Sequence, residues 1–102
     1  MTFFRVSASQ SRPIDVTVYS RPGCHLCEVA QEVILATARQ GAIQIDLRVV
    51  DIESNAELRD AYDQQIPVVV IEGKKAFKVV VDRKRLAERF RREAGRLGEA
   101  SR

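Results

Sequence analysis

Apolar and polar residues alternate along Ile14-Asp15-Val16-Thr17-Val18-Tyr19, and the alternation stops at Ser20-Arg21-Pro22-Gly23. A period of two is the mark of a strand with one buried face, and the proline and glycine end it. The period then changes. Leu26, Val29, Ala30, Val33, Ile34 and Ala38 recur at three- and four-residue spacing, which predicts an amphipathic helix with Gly41 as its C-terminal cap. Ile43, Ile45, Leu47 and Val49 alternate with Gln44, Asp46 and Arg48, a second strand with one wetted face and so suited to a sheet edge. Ser54 with Glu57 three residues later has the form of a capping box, and Leu58, Ala61 and Tyr62 make the buried stripe of the helix it starts. Val68 to Ile71 is a continuous β-branched run fit for a central strand, Glu72-Gly73-Lys74-Lys75 is a turn, and Ala76 to Val81 is its hairpin partner. Asp82 caps a last helix that carries Leu86, Ala87, Phe90, Ala94 and Leu97 on one side.

The resulting order, β-α-β-α-β-β-α, predicts an α/β fold with a four-stranded mixed sheet flanked by helices. The β-α-β start requires a parallel pair, and the short turn at Gly73 an antiparallel one. A chain of 102 residues supports one core. The expected division is an N-terminal extension over 1–13 with a Phe3-Phe4 tip, either disordered or packed on the domain, a domain over 14–98 and a tail over 99–102. No apolar run approaches the roughly 20 residues that span a bilayer, and the first twenty residues lack a secretory h-region. The expectation is a soluble, cytoplasmic monomer with no membrane partner.

Seventeen Lys and Arg against fourteen Asp and Glu leave a net charge of +3. Much of the excess lies in Arg83, Lys84, Arg85, Arg89, Arg91 and Arg92, read as the solvated face of the last helix. With no RNP-type aromatic strand, zinc-finger spacing or Trp beside them, no nucleic-acid partner is expected.

The chemistry lies in Cys24-His25-Leu26-Cys27, between the first strand and the first helix. Free N–H groups and the positive dipole end of a helix stabilise a thiolate, lowering its pKa from about 8.5. Cys24 is the better placed to attack a disulfide, and Cys27, one turn on, to resolve the mixed disulfide and close a redox-active Cys24–Cys27 pair. Arg21 can favour the thiolate or hold a substrate carboxylate, and otherwise is a solvated turn residue. His25, the only histidine, stabilises the thiolate if protonated and is otherwise an exposed bystander. Pro67 opens a central strand, which suggests a special bond geometry such as cis, with an ordinary trans entry as the alternative. Two other readings stay open: a binding module with idle cysteines, and a zinc or iron-sulfur carrier or sensor. Zinc usually takes four N or S ligands, so that site would need a second copy.

The run Val18-Tyr19-Ser20-Arg21-Pro22-Gly23-Cys24-His25-Leu26-Cys27, followed by Ile66-Pro67-Val68, resembles the glutaredoxin branch of the thioredoxin-like family, over about Ile14 to Phe90. The resemblance implies that Pro67 is cis and faces Cys24, that the Ile66 backbone pairs with a substrate strand, and that Arg21 takes the family's basic position. It implies a thiol-disulfide oxidoreductase with no resident cofactor, a disulfide-containing protein or small molecule as substrate, and an external thiol reductant, with glutathione a candidate cosubstrate. This chain departs from the family at two places. His25-Leu26 stands where a proline and an aromatic are usual, and, counted from Pro67, Phe77-Lys78 stands where two glycines help hold glutathione. Crowding by Phe77 and the late Asp82 lead to the expectation of poor glutathione use.

Overall fold

The computed structural model describes the backbone of residues 10–100 and the side chains of residues 10–98. The Phe3-Phe4 tip falls outside the described residues.

Strand β1 (Ile14–Ser20) realises the opening alternation: Ile14, Val16 and Val18 are fully buried on one face, while Asp15, Thr17 and Tyr19 lie on the other. It runs parallel to β2 (Ile45–Asp51), from Ile14 opposite Ile45 to Ser20 opposite Asp51. On its other side it pairs antiparallel with β3 (Val68–Ile71), Val16 opposite Ile71 and Tyr19 opposite Val68. β4 (Lys74–Lys78) completes the order β2-β1-β3-β4, which makes β2 an edge. Helix α1 (His25–Gln40) joins β1 to β2, α2 (Ala56–Tyr62) follows a 3-10 turn at Ile52–Ser54, and α3 (Arg83–Ala100) follows β4.

Val16, Val18, Val69 and Ile71 meet Val33, Ile34 and Ala38 of α1 and Leu86, Phe90 and Leu97 of α3 in one cluster. Burial of each large aliphatic side chain there contributes on the order of 2 kcal/mol. The opposite face is thinner. The Tyr19 ring lies 4.9 Å from that of Tyr62 on α2, and the Lys75 ammonium stands 5.1 Å from the Tyr62 centroid.

Three local expectations are corrected. Ser54 does not cap α2, because Asp51 starts the 3-10 turn by accepting the Glu53 N–H at 2.8 Å and Ser54 Oγ donates to the Asp51 carbonyl at 2.6 Å. Asn55 caps instead, accepting the Leu58 N–H at 3.1 Å. The expected stripe on α2 is not buried: Ala61 is exposed, and Leu58 and Tyr62 are half-buried. The hairpin turn is the two residues Glu72 and Gly73, with φ of 50° and 80°, the signs a type I′ turn requires. Its second strand therefore begins at Lys74, and Ala76 is the extra residue of a bulge between the Val69–Phe77 and Val70–Lys75 pairs. At the end of α1, Gly41 is the C-cap, as expected, with φ −92°, and the left-handed residue after it is Ala42. The bonds Ile43 N–H to Ala38 carbonyl, 2.9 Å, and Ala42 N–H to Arg39 carbonyl, 3.2 Å, form a Schellman motif.

The end of the sheet at Ile14 is tied by charge. The Glu72 carboxylate accepts both Arg12 Nη atoms at 2.5 and 2.8 Å and the Asp15 N–H at 2.8 Å, and Arg96 lies at 3.4 Å. Arg96 also reaches Glu93 at 2.9 Å; Glu93, nearly buried, accepts from Arg89 at 2.9 Å, and Arg89 donates to the Ile71 carbonyl at 3.2 Å. Arg89 thus belongs to a partly buried network and not to the solvated face. Gln10 adds a tether, exchanging two bonds with the Gln44 backbone at 2.9 and 3.1 Å.

The bonded Arg12 guanidinium holds the Glu72 carboxyl at about 2 against an ordinary 4.5, although burial pushes it up. A carboxyl with a depressed folded pKa contributes stability fully present above its unfolded value and lost as pH falls through the folded one. Because Arg12 is half-exposed, screening reduces that contribution to about 1–2 kcal/mol. Denaturant midpoints measured from pH 5.5 to 2 should fall as Glu72 protonates, and Glu72→Gln should start lower and fall less steeply. Parallel curves for the two proteins would remove Glu72 from this role.

Candidate functional site

The cysteines are delivered by a turn. After β1, the Cys24 N–H donates to the Arg21 carbonyl at 3.3 Å, with Pro22 and Gly23 between them. Gly23 has φ 79°, and proline followed by a positive-φ glycine is the pattern of a type II turn. The turn places Cys24 at the N-cap of α1 with extended dihedrals, φ −87° and ψ 105°. Its carbonyl accepts the first helical bond from Glu28, 3.2 Å, and its Sγ accepts the Cys27 N–H at 3.2 Å. Cys27 is 1% exposed and Cys24 is half-buried. The two sulfurs are paired as a disulfide, with Cα atoms 5.3 Å apart.

The Ile66–Pro67 bond is cis, in keeping with a proline at the head of a central strand, and Pro67 is fully buried. Because Tyr19 stands opposite Val68, Ile66 and Pro67 lie at the end of the sheet from which the cysteine turn departs. The Pro67 carbonyl accepts the Val79 N–H at 2.8 Å, which brings the chain after β4 to the same end.

Arg21 forms a close ion pair with Asp63 and lies 3.4 Å from Glu53. The bond to Asp63 raises its pKa above the ordinary arginine value. Two carboxylates match its charge, so Arg21 ties the cysteine turn to α2 and the 3-10 turn instead of standing free. His25 is 85% exposed, with Nδ1 3.9 Å from the Glu28 carboxylate. Among the described residues no three His, Cys, Asp or Glu side chains gather as a metal site would require.

Leu26 and Val29 leave the buried stripe expected of them and are 49% and 39% exposed. With Val79 and Val80 they line an apolar cleft of about 80 Å³ that Ala30, Val33 and Val81 also line. Phe77 packs against the core cluster. After the bulge at Ala76, Val79 adopts φ 67°, the region that favours glycine. Asp63, Glu53, Val79 and Val80 went unnoticed in the sequence; the one available signal was three valines directly before a helix cap, more apolar residues than a strand end there can bury.

The sequence profile of the Glutaredoxin-like domain (DUF836) matches residues 15–91. The chain belongs to this glutaredoxin-like family. A glutaredoxin-like protein of Dictyostelium discoideum is 29% identical over 79 residues, which cover 74% of this chain and 73% of that protein. The solution structure of a protein from Nitrosomonas europaea superposes with TM-score 0.69 at 26% identity, over 79% of this chain and 95% of that one. A thioredoxin from Halobacterium salinarum shares the fold, with TM-score 0.58 at 19% identity, over 84% of this chain and 79% of that one. The fold of this glutaredoxin-like chain is thioredoxin-like, and no helix among its described residues is long and apolar enough to cross a membrane.

The unequal exposure sets the expected reactivity. In the reduced protein at pH 7, Cys24 should alkylate at least about tenfold faster than Cys27, measured by quenched iodoacetamide labelling and peptide mass spectrometry. Because Asp63 and Glu53 already match its charge, Arg21→Ala should lower thermal stability yet shift the Cys24 thiol pKa by less than about half a unit. Equal labelling rates, or a shift of a full unit, would overturn these assignments.

Proposed function

We propose that this protein is a dithiol thiol-disulfide oxidoreductase whose substrates are polypeptide disulfides with apolar flanks. The observation that carries the proposal is the asymmetry of the pair: a half-buried Cys24 at a helix N-cap, its sulfur accepting an N–H, beside a buried Cys27. Hydrogen bonding to the charged form favours it, as does the helix dipole, so the Cys24 thiolate is the nucleophile.

It attacks one sulfur of the substrate disulfide, forming a mixed disulfide and releasing a substrate thiolate that takes up a proton. Cys27 then loses its proton and attacks the Cys24 sulfur, forming the internal disulfide and releasing the second substrate thiol. Two electrons from an external dithiol or pair of thiols return the protein to its reduced state. The apolar cleft of Leu26, Val29, Val79 and Val80 beside the cysteines supports a substrate with apolar side chains next to its cystine. It supports glutathione less, since the two carboxylates of that tripeptide meet valines there and the cation of Arg21 is already matched. The Ile66 backbone, just beyond the last β1–β3 pair, is the segment the family resemblance assigns to a substrate strand.

The test compares turnover of a small mixed disulfide and of a disulfide-bonded protein, each with millimolar glutathione or with a thioredoxin-type reductase system. The protein disulfide with the reductase system should be the faster by about tenfold or more. Cys27→Ser should accumulate the mixed disulfide with the protein substrate. Saturable turnover with glutathione would reassign the substrate class, and no turnover with any reductant would leave a binding module with idle cysteines.

A further inference from the structure

We propose that β2 is a self-association surface, on which two copies of this chain pair antiparallel about a two-fold axis through Leu47. This takes the place of the monomer expected from the sequence and is independent of the redox reading.

The argument begins with the direction of the backbone groups. The Ile14 N–H donates to the Gln44 carbonyl at 3.0 Å, and Ile14 stands opposite Ile45 in the parallel β1–β2 pair. The backbone groups of Gln44, Asp46, Arg48 and Val50 are therefore turned to β1, and those of Ile45, Leu47 and Val49 to the open edge. An antiparallel partner centred on Leu47 sets Leu47 opposite Leu47 and Ile45 opposite Val49 of the second copy. Among the described residues, no strand pairs with these N–H and C=O groups.

The intervening positions decide the register. Asp46 falls opposite Arg48 of the second copy, and Arg48 opposite its Asp46, at the non-hydrogen-bonded positions where facing side chains are closest. Centring on Asp46 or on Arg48 would instead set identical charges opposite each other. Both side chains are exposed, and within one chain they share only a 3.4 Å contact. Asp15 stands beside Asp46 in the β1–β2 register, so a second cation arriving there relieves two neighbouring carboxylates. Ion pairs on both sides of the axis give the edge charge complementarity to itself.

Exposed apolar residues gather at the same edge. Val49 is 48% exposed, and Ile45 and Leu47 are half-buried. On α1, Leu26, Val29 and Val33 face the cleft with residues 79–81, and the helical period puts Leu35, 44% exposed, on the opposite flank, toward β2. Leu35 thus extends the exposed apolar surface on the β2 side of the molecule. The cysteine turns lie beyond the C-terminal end of each β1 and so at opposite ends of the pair, which leaves both sites open.

Sedimentation velocity on the full chain, from about 10 to 500 µM, tests the proposal. The unmodified protein should shift from monomer to dimer across that range. Arg48→Asp and Asp46→Arg should each weaken the dimer about tenfold or more, because each sets like charges opposite one another. Circular dichroism melts of the variants should stay close to those of the unmodified protein, separating lost association from lost folding. Mixing the two variants should restore a dimer made of one copy of each, since positions 46 and 48 then carry carboxylates in one copy and guanidinium groups in the other. A monomer at every concentration, a dimer indifferent to both substitutions, or a mixture that stays monomeric would each overturn it.

Discussion

The antiparallel ladder between β1 and β3 stops at Tyr19 opposite Val68, and that endpoint governs the whole cysteine end of the molecule. On one strand the next residues are Ser20 and the Arg21–Cys24 turn; on the other they are Pro67 and Ile66. Because the two strands are bonded to each other, these segments cannot drift apart without breaking the centre of the sheet. The Pro67 carbonyl then holds Val79 and brings the third segment of the site to the same place. The core beneath is what makes the endpoint rigid: Val16, Val18, Val69 and Ile71 are wholly buried against α1 and α3. A site at the end of a buried ladder is positioned by hydrophobic packing some distance from any reacting atom.

Charge ties down both ends of the sheet. Arg21 is matched by Asp63 and Glu53, and its contribution is to hold the turn against α2. At the other end of the sheet, Glu72 and Glu93 sit among Arg12, Arg89 and Arg96, where the arginines outweigh the burial that pushes the Glu93 carboxyl up. Glu72 lies in the hairpin turn and is bonded to the residues before β1, so one side chain links three parts of the chain. The two networks act on stability and position, whereas the surface beside the cysteines is built from Leu26, Val29, Val79 and Val80.

How far the fold was legible in the sequence depended on whether local order and tertiary order agreed. The β1 alternation and the stripe Ala30, Val33, Ile34, Ala38 were readable because burial there follows directly from period. Leu26 and Val29 share that period and are nevertheless exposed, since the loop 79–81 and not a packed element lies over the first turn of α1. The bulge at Ala76 was not legible, because it adds a residue without leaving a mark in the composition. Of the site, the CxxC pair and the cis proline were legible from residue type and spacing. The partners of Arg21 were not, because Glu53 and Asp63 are 32 and 42 positions away and nothing in their neighbourhoods marks them among the other exposed acids.

The N-cap position of Cys24 joins these threads into one argument about chemistry. A serine or aspartate at an N-cap accepts an N–H from the first turn with oxygen, and here the same role falls to sulfur, which accepts from Cys27. The donor belongs to Cys27 itself, so in the proposed reaction the group that would stabilise negative charge on Cys24 is carried on the backbone of the residue whose side chain would attack it. Moving α1 by even part of a turn would alter charge stabilisation and the sulfur-to-sulfur approach together. That coupling explains why the helix is anchored at both ends, by the Pro22-Gly23 turn before it and the Schellman motif at Ala42 after it. It also explains why the residues between the cysteines are free to be His25 and Leu26, both exposed, with neither needed to hold the sulfurs in place.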